Sequence, residues 1–95
     1  VIELEPKMVN GHFNRGNTWY ELKEYENALK DYQTAYELDP NDANVIYNLG
    51  NTQQILGLYE GAIRSFREGI KFKQYSITFT NALGRCYSQM NEFDK

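Results

Sequence analysis

Side chains able to do chemistry are few and far apart in this sequence. His12 is the only histidine and Cys86 the only cysteine. A nucleophile–base pair would have to join them across more than 70 positions. Structural zinc takes about four nitrogen or sulfur ligands, and these two residues do not supply them. No glycine pattern of a phosphate loop or dinucleotide site is present. Asp39, Asn41 and Asp42 are too few for a calcium loop. Gly57-Leu58-Tyr59-Glu60-Gly61 has the GxxxG spacing, but it carries a charge and sits at a turn signal, so it is not a membrane contact. We therefore expect no catalytic residue, no cofactor and no metal: the chain reads as a non-enzyme. His12 is expected as a partly buried helix residue and Cys86 as a small buried one.

What remains is an unusual set of amides. Ten residues are Asn, and Asn14, Asn17, Asn48 and Asn51 recur at one phase. Within each pair the spacing of three puts both side chains on one helix face. An amide offers a donor and an acceptor together, so it can hold a peptide's C=O and N–H without reading its side chains. Asn44, Gln54, Asn81, Arg85 and Gln89 extend the polar strip, and Phe13 and Tyr47 add flat apolar contact. The plain alternative is that these residues only keep a helix surface polar.

Repeated elements must position these side chains. Leu4-Glu5-Pro6 and Leu38-Asp39-Pro40 share one pattern, 34 residues apart. The same offset relates Asn10 to Asn44, Asn14 to Asn48, and Gly16-Asn17-Thr18 to Gly50-Asn51-Thr52. It also relates Leu22 to Leu56, Tyr25-Glu26 to Tyr59-Glu60 and Ala28 to Ala62, which makes nine identities over 34 positions. Leu83-Gly84 begins a third copy. Apolar residues recur at three and four, so each period reads as two helices. Ala28, Tyr32, Ala35 and Leu38 form one stripe; Ala62, Phe66, Gly69 and Ile70 form its counterpart. The spacing predicts helices over 9–22, 25–38, 43–56, 59–72 and 76–90, with a sixth starting at Phe93. Asn41-Asp42 is expected to cap the third helix, and Gly57 to end it. Gly16, Gly50 and Gly84 stand mid-helix, where glycine costs about 1 kcal/mol relative to alanine. Their common phase predicts a close helix crossing, with Gly50 near Ala62 and the aromatics Tyr25, Tyr32, Tyr59 and Phe66 filling gaps between pairs.

Composition bounds the rest. The 95 residues allow one domain, and 41% hydrophobic content supports a small core. Mean hydropathy is −0.70 and no apolar run suits a membrane span. A net charge of −3 argues against nucleic acid and anionic membrane as partners. The acids lie early, nine against four bases in residues 1–42; the later part holds four acids and six bases. Arg64, Arg67, Lys71 and Lys73 cluster within it and read first as a solvated helix face. A lone cysteine suggests an intracellular, cytoplasmic protein. The first residue is Val1, which suggests a piece of a longer chain.

Period and motif resemble the tetratricopeptide repeat (TPR), a 34-residue helix–turn–helix. Gly16, Trp19, Ala28, Tyr32, Ala35 and Pro40 match its pattern in residues 9–42. Leu49-Gly50, Tyr59, Ala62 and Phe66 match in 43–76, and Leu83-Gly84 and Tyr87 in 77–95. Residues 1–8 then resemble the end of a preceding repeat. Departures are His12 and Arg15 for apolar residues, Gly69 for Ala and Gln74 for Pro, the last implying a looser junction at 71–76. The resemblance implies an all-α TPR solenoid fragment of about five helices with a right-handed superhelix. First helices would line its concave groove, placing Asn14, Asn17, Asn44, Tyr47, Asn48, Asn51, Gln54, Asn81, Arg85 and Gln89 there. The expected function is a scaffold or adaptor that holds an extended or helical peptide segment of another protein. Alternatives are the substrate-docking arm of a larger enzyme such as a glycosyltransferase, or a module that self-associates end to end. A clamp for a chaperone's C-terminal carboxylate is ruled out by Phe13, Thr78 and Ala82, which stand where that clamp needs cations. Leu83, Tyr87 and Phe93 are expected to expose an apolar face.

Overall fold

The computed structural model describes the backbone of residues 6–93 and the side chains of 9–90. Five helices follow in order: α1 (Pro6–Glu21), α2 (Tyr25–Leu38), α3 (Ala43–Ile55), α4 (Tyr59–Gly69) and α5 (Ser76–Phe93). A single 3₁₀ turn, Lys73–Tyr75, precedes α5, and no strand occurs among the described residues. Consecutive helices pack on one another, so the chain stacks as the all-α helix–turn–helix solenoid that the period implied.

Local chemistry explains the boundaries. Asp42 caps α3, its Oδ1 accepting from the backbone N–H of Asn44 at 2.9 Å and of Val45 at 3.4 Å. The turns inside both pairs are built alike. Lys23 (φ 63°) and Gly57 (φ 79°) take the left-handed conformation. The next residues then donate back into the helix, Glu24 N–H to Trp19 O at 2.9 Å and Leu58 N–H to Gln53 O at 2.8 Å. α1 starts at Pro6, three residues ahead of the expected start at 9. Proline is suited to a first helical turn, where its missing N–H has no partner to lose. α4 stops at Gly69 rather than 72, and the 3₁₀ turn occupies the junction where Gln74 replaces Pro. The sixth helix expected at Phe93 is corrected: α5 runs on through Phe93. Asn91, at the phase of Gly57, stays helical and provides no left-handed break. Of residues 1–8, read as the end of a preceding repeat, 1–5 lie outside the described residues and 6–8 belong to the first turn of α1.

Three clusters form the core. Ala28, Tyr32 and Leu49 join α2 to α3; Val9, Ala35 and Val45 continue that seam. Ile46, Ala62, Phe66, Phe79, Ala82, Leu83 and Cys86 join α3, α4 and α5. Two of the three mid-helix glycines at the common phase, Gly16 and Gly50, lie against aromatic rings, whereas a Cβ on Gly84 would meet nothing within 4 Å. A Cβ on Gly50 would lie 2.5 Å from Phe66 Cε1, and one on Gly16 would lie 2.8 Å from Tyr32 Cε1. Gly50 thus faces Phe66, one turn beyond the expected Ala62. Tyr32 and Phe66 cover the glycine of their own pair and also pack on the next pair, Tyr32 with Leu49 and Phe66 with Phe79. Gly69, where alanine is usual, makes room for the ring of Phe79. Leu83 corrects another expectation. It is buried at 9% exposure because it packs back toward α4, whereas Ile77 and Tyr87 are 77% and 47% exposed. The side chain of Phe93 lies outside the described residues.

The two remaining departures belong together. Asp31, on α2, is buried at 4% exposure. Arg15 donates to it twice, from Nε at 2.8 Å and from a terminal nitrogen at 2.7 Å, and His12 Nδ1 lies 3.2 Å from its Oδ1. The bidentate pair holds the Asp31 carboxyl below its ordinary range, against the opposing effect of burial.

Candidate functional site

α3 carries two opposed faces. Ile46, Leu49 and Gln53 look toward the channel between the second helices α2 and α4, while Asn44, Tyr47, Asn51 and Gln54 look toward α1 and α5. Helical periodicity alone separates them, since 46, 49 and 53 share one side and 44, 47, 51 and 54 the other. The second set belongs to the face built by first helices, the side that the repeat resemblance makes the inner one.

Two cavities lie on this inner face. One, of about 200 Å³, is lined by Tyr20 from α1, by Asn51, Gln54 and Ile55 from α3, and by Arg85 and Gln89 from α5. Gln54 Nε2 donates to Gln89 Oε1 at 2.7 Å, tying α3 to α5 across its floor. The other, of about 260 Å³, is bounded by Ala43, Asn44, Tyr47, Tyr75, Thr78 and Phe79. Its wall is aromatic: the Tyr47 ring meets Phe79 edge-on at 5.7 Å and Phe66 at 6.1 Å.

Six of the ten residues singled out from sequence therefore line inner-face cavities: Asn51, Gln54, Arg85 and Gln89 in the first, Asn44 and Tyr47 in the second. The other four line neither. Asn14 and Asn81 are exposed on α1 and α5, and Asn48 is half-buried on α3. The backbone carbonyls of Asn14 and Asn48 accept from Thr18 and Thr52 hydroxyls, at 3.2 and 2.8 Å. Asn17 is half-buried and has an internal partner: Tyr32 donates its hydroxyl to Asn17 Oδ1 at 2.5 Å. Burial pushes the Tyr32 hydroxyl up to about 12, so it stays a donor. Phe13, expected to add groove contact, packs against Tyr32 at 5.9 Å and belongs to the core seam.

Sequence reasoning missed Tyr20 and Ile55. Their signal was present, since Tyr20 follows Asn17 by three and Ile55 follows Asn51 by four, at the strip's own phase. It also missed a larger cavity on the outer face, about 470 Å³, between α2 and α4. Arg64, Glu37 and Glu68 line it. Glu68 accepts from the Tyr36 hydroxyl at 2.6 Å and lies 3.6 Å from Lys71 Nζ, so charge there is largely balanced within the fold. Arg64 and Arg67 are exposed on α4. Cys86 is buried, and burial pushes its thiol up, away from the reactive thiolate. Among the described residues no cluster of three His, Cys, Asp or Glu is arranged to hold a metal. No described helix is long and apolar enough to cross a membrane.

Comparison with known proteins agrees with this geometry. A family model described as TPR repeat matches residues 16–57, and a second, described as Tetratricopeptide repeat, matches 43–75. No curated protein matches the sequence. Among solved structures, PcrH in complex with the chaperone binding region of PopB superposes with a TM-score of 0.85 at 26% identity. That match covers 99% of this chain and 76% of the other. A point mutant of MamA superposes with a TM-score of 0.81 at 25% identity, covering 92% of this chain and 64% of that one. With 34-residue helix pairs, a glycine under Tyr32 in the first pair and under Phe66 in the second, and these matches, the chain belongs to the tetratricopeptide repeat family and is built as a protein-interaction module.

Proposed function

We propose that the chain holds a peptide segment of a partner protein along its inner face, in the manner of a scaffold or adaptor. The observation that carries this reading is the convergence of α1, α3 and α5 on one polar cavity, lined by Tyr20, Asn51, Gln54, Arg85 and Gln89. Neighbouring first helices in such stacks lie about 10 Å apart. A strip crossing three of them suits an extended or helical segment better than a globular surface. PcrH, similar over nearly this whole chain, is described with a bound region of PopB, which supports a peptide-type partner here. The division into repeats at 9–42, 43–76 and 77–95 is part of the same proposal, because it makes α1, α3 and α5 equivalent.

Asn51 lines the cavity at the centre of the proposed strip, and Asn48, which lines neither cavity, precedes it by three on α3. Each amide contact contributes about 0.5–1.5 kcal/mol net. Asn48→Ala with Asn51→Ala is therefore expected to weaken a bound segment roughly tenfold. Arg64→Ala with Arg67→Ala, on the outer side of α4, is expected to leave it unchanged. Calorimetry with a partner segment selected by peptide display decides between the faces. Loss of binding only in the arginine pair would move the site to the channel between α2 and α4.

A further inference from the structure

The inner cavity at α1, α3 and α5 contains a charge that no described residue balances. Arg85 lines it, and among the described residues no carboxylate lines it and Arg85 makes no ion pair. Arg15 is held by Asp31, Lys71 by Glu68, and Arg64 shares its cavity with Glu37 and Glu68; Lys23, Lys30, Arg67 and Lys73 are exposed and line none of the three cavities, so Arg85 differs from them by its place in a cavity. The neutral groups beside Arg85 can add donors: the Gln54–Gln89 hydrogen bond consumes one donor and one acceptor, which leaves the Gln89 NH₂ group free to donate and Gln54 Oε1 free to accept. One turn before Tyr20, the Asn17 oxygen is occupied by the Tyr32 hydroxyl, so Asn17 also has mainly donors to offer. Phe66 replaces Tyr32 at the matching place on α4 and has no hydroxyl, so Asn51 is not tied in this way. A guanidinium with amide donors beside it, and no anion against it among the described residues, is chemically complementary to a carboxylate. At about 200 Å³ the cavity is below the usual small-molecule range and suits a single side chain.

We propose that this cavity seats an Asp or Glu side chain of the partner segment, ion-paired with Arg85, and so makes the inner face selective for acidic peptides. The proposal rests on the inner-face reading above. It differs from a three-cation clamp for a chain terminus, whose cation positions hold Phe13, Thr78 and Ala82 here. One half-exposed pair replaces them, so only a modest salt dependence is expected.

A displayed library of 16-residue peptides, all with amidated C-termini, selected against the 95-residue chain, tests it. Asp or Glu should be enriched at one fixed position. For a selected peptide, the Glu→Gln twin should bind roughly fivefold to tenfold more weakly, on the scale of one charge-assisted contact. That difference should vanish in Arg85→Gln and persist in Arg85→Lys, while circular dichroism of both variants is unchanged. A free C-terminus on the Gln twin should not restore affinity. Restoration would assign the cavity to a terminal carboxylate and overturn the side-chain assignment. Binders with no acidic position, or an undiminished Glu-to-Gln difference in Arg85→Gln, would overturn the seat, as would a failure to select any binder. If binding still fell in Asn48→Ala with Asn51→Ala, the inner-face reading would survive that loss. Dependence on Arg64 and Arg67 alone would remove both.

Discussion

At the scale of single residues, the most informative departure from the repeat pattern is Arg15. In the second pair, Ile46 and Leu49 occupy the positions of His12 and Arg15, and Ser65 that of Asp31. The first pair thus exchanges an apolar face for a buried carboxylate and its cation. Removing one partner of such a pair leaves a polar group unsatisfied, which costs more than the pair itself contributes. The Asp31 carboxyl is depressed in the folded protein, so its contribution is present above the ordinary carboxylate range and is lost as pH falls through the folded value. Asp31→Asn is therefore expected to lower the melting temperature clearly at pH 7. At pH 2–3 the gap from the parent protein should narrow. Thermal melts by circular dichroism at both pH values check this, and an unchanged gap would mean that charge is not what Asp31 contributes. Little of this was legible in the sequence. Asp31 follows Ala28 by three, on a face that otherwise reads as core, and a lone acid there is easily taken for a surface residue. Only the fold reveals that Arg15, 16 positions earlier, reaches it.

At the scale of elements, helix type, order and phase were legible because the 34-residue period samples each position at least twice. Boundaries were less so where a tertiary partner decides them. The end of α4 at Gly69 follows from the Phe79 ring, and the run of α5 through Phe93 follows from the lack of a left-handed residue at Asn91. For the site, the period grouped Asn51, Gln54, Arg85 and Gln89, which line one cavity, but could not tell an available amide from one already engaged. Asn17 and Asn51 look equivalent in sequence, and only the Tyr32 hydroxyl distinguishes them. Glycine substitutions test the crossings. Gly50→Ala would drive a methyl group against the Phe66 ring, and overpacking of this kind costs about 1–3 kcal/mol. Gly84 occupies the same phase on α5, yet a Cβ there meets nothing within 4 Å. Gly84→Ala should therefore gain about 0.5–1 kcal/mol from helix propensity alone. Chemical denaturation of the two variants should give shifts of opposite sign. Equal shifts would show that the glycine phase does not mark a packed crossing.

At the scale of the whole molecule, the two ends of the stack present different surfaces. The front of α1 and α2 carries the Arg15–Asp31 ion pair, with His12 hydrogen-bonded beside it. The outer stripe of α5 carries Ile77, Gly84 and Tyr87, spaced seven and three apart, with Ile77 and Tyr87 exposed. In the first two pairs, the glycine of this stripe lies under an aromatic ring from a second helix; among the described residues none covers Gly84. Repeat stacks gain stability from each neighbouring interface, so a helix covered on one side holds on less firmly than one covered on both. α3 lies between α2 and α4 and also lines both inner cavities, so its amides should exchange slowest with solvent and those of α5 faster. We expect the 95-residue chain to melt below about 65 °C, the upper end for ordinary domains. Any self-association should use the apolar stripe of α5 in a two-fold contact. Head-to-tail stacking would instead set that stripe against Arg15 and His12, with no apolar area gained on the charged side. Sedimentation across a concentration series checks the mode. A dimer abolished by Ile77→Lys with Tyr87→Lys, and unaffected by His12→Ala, supports the two-fold contact. Loss of association on changing His12, or open-ended oligomers, would show that the front face takes part and that the stack grows head to tail.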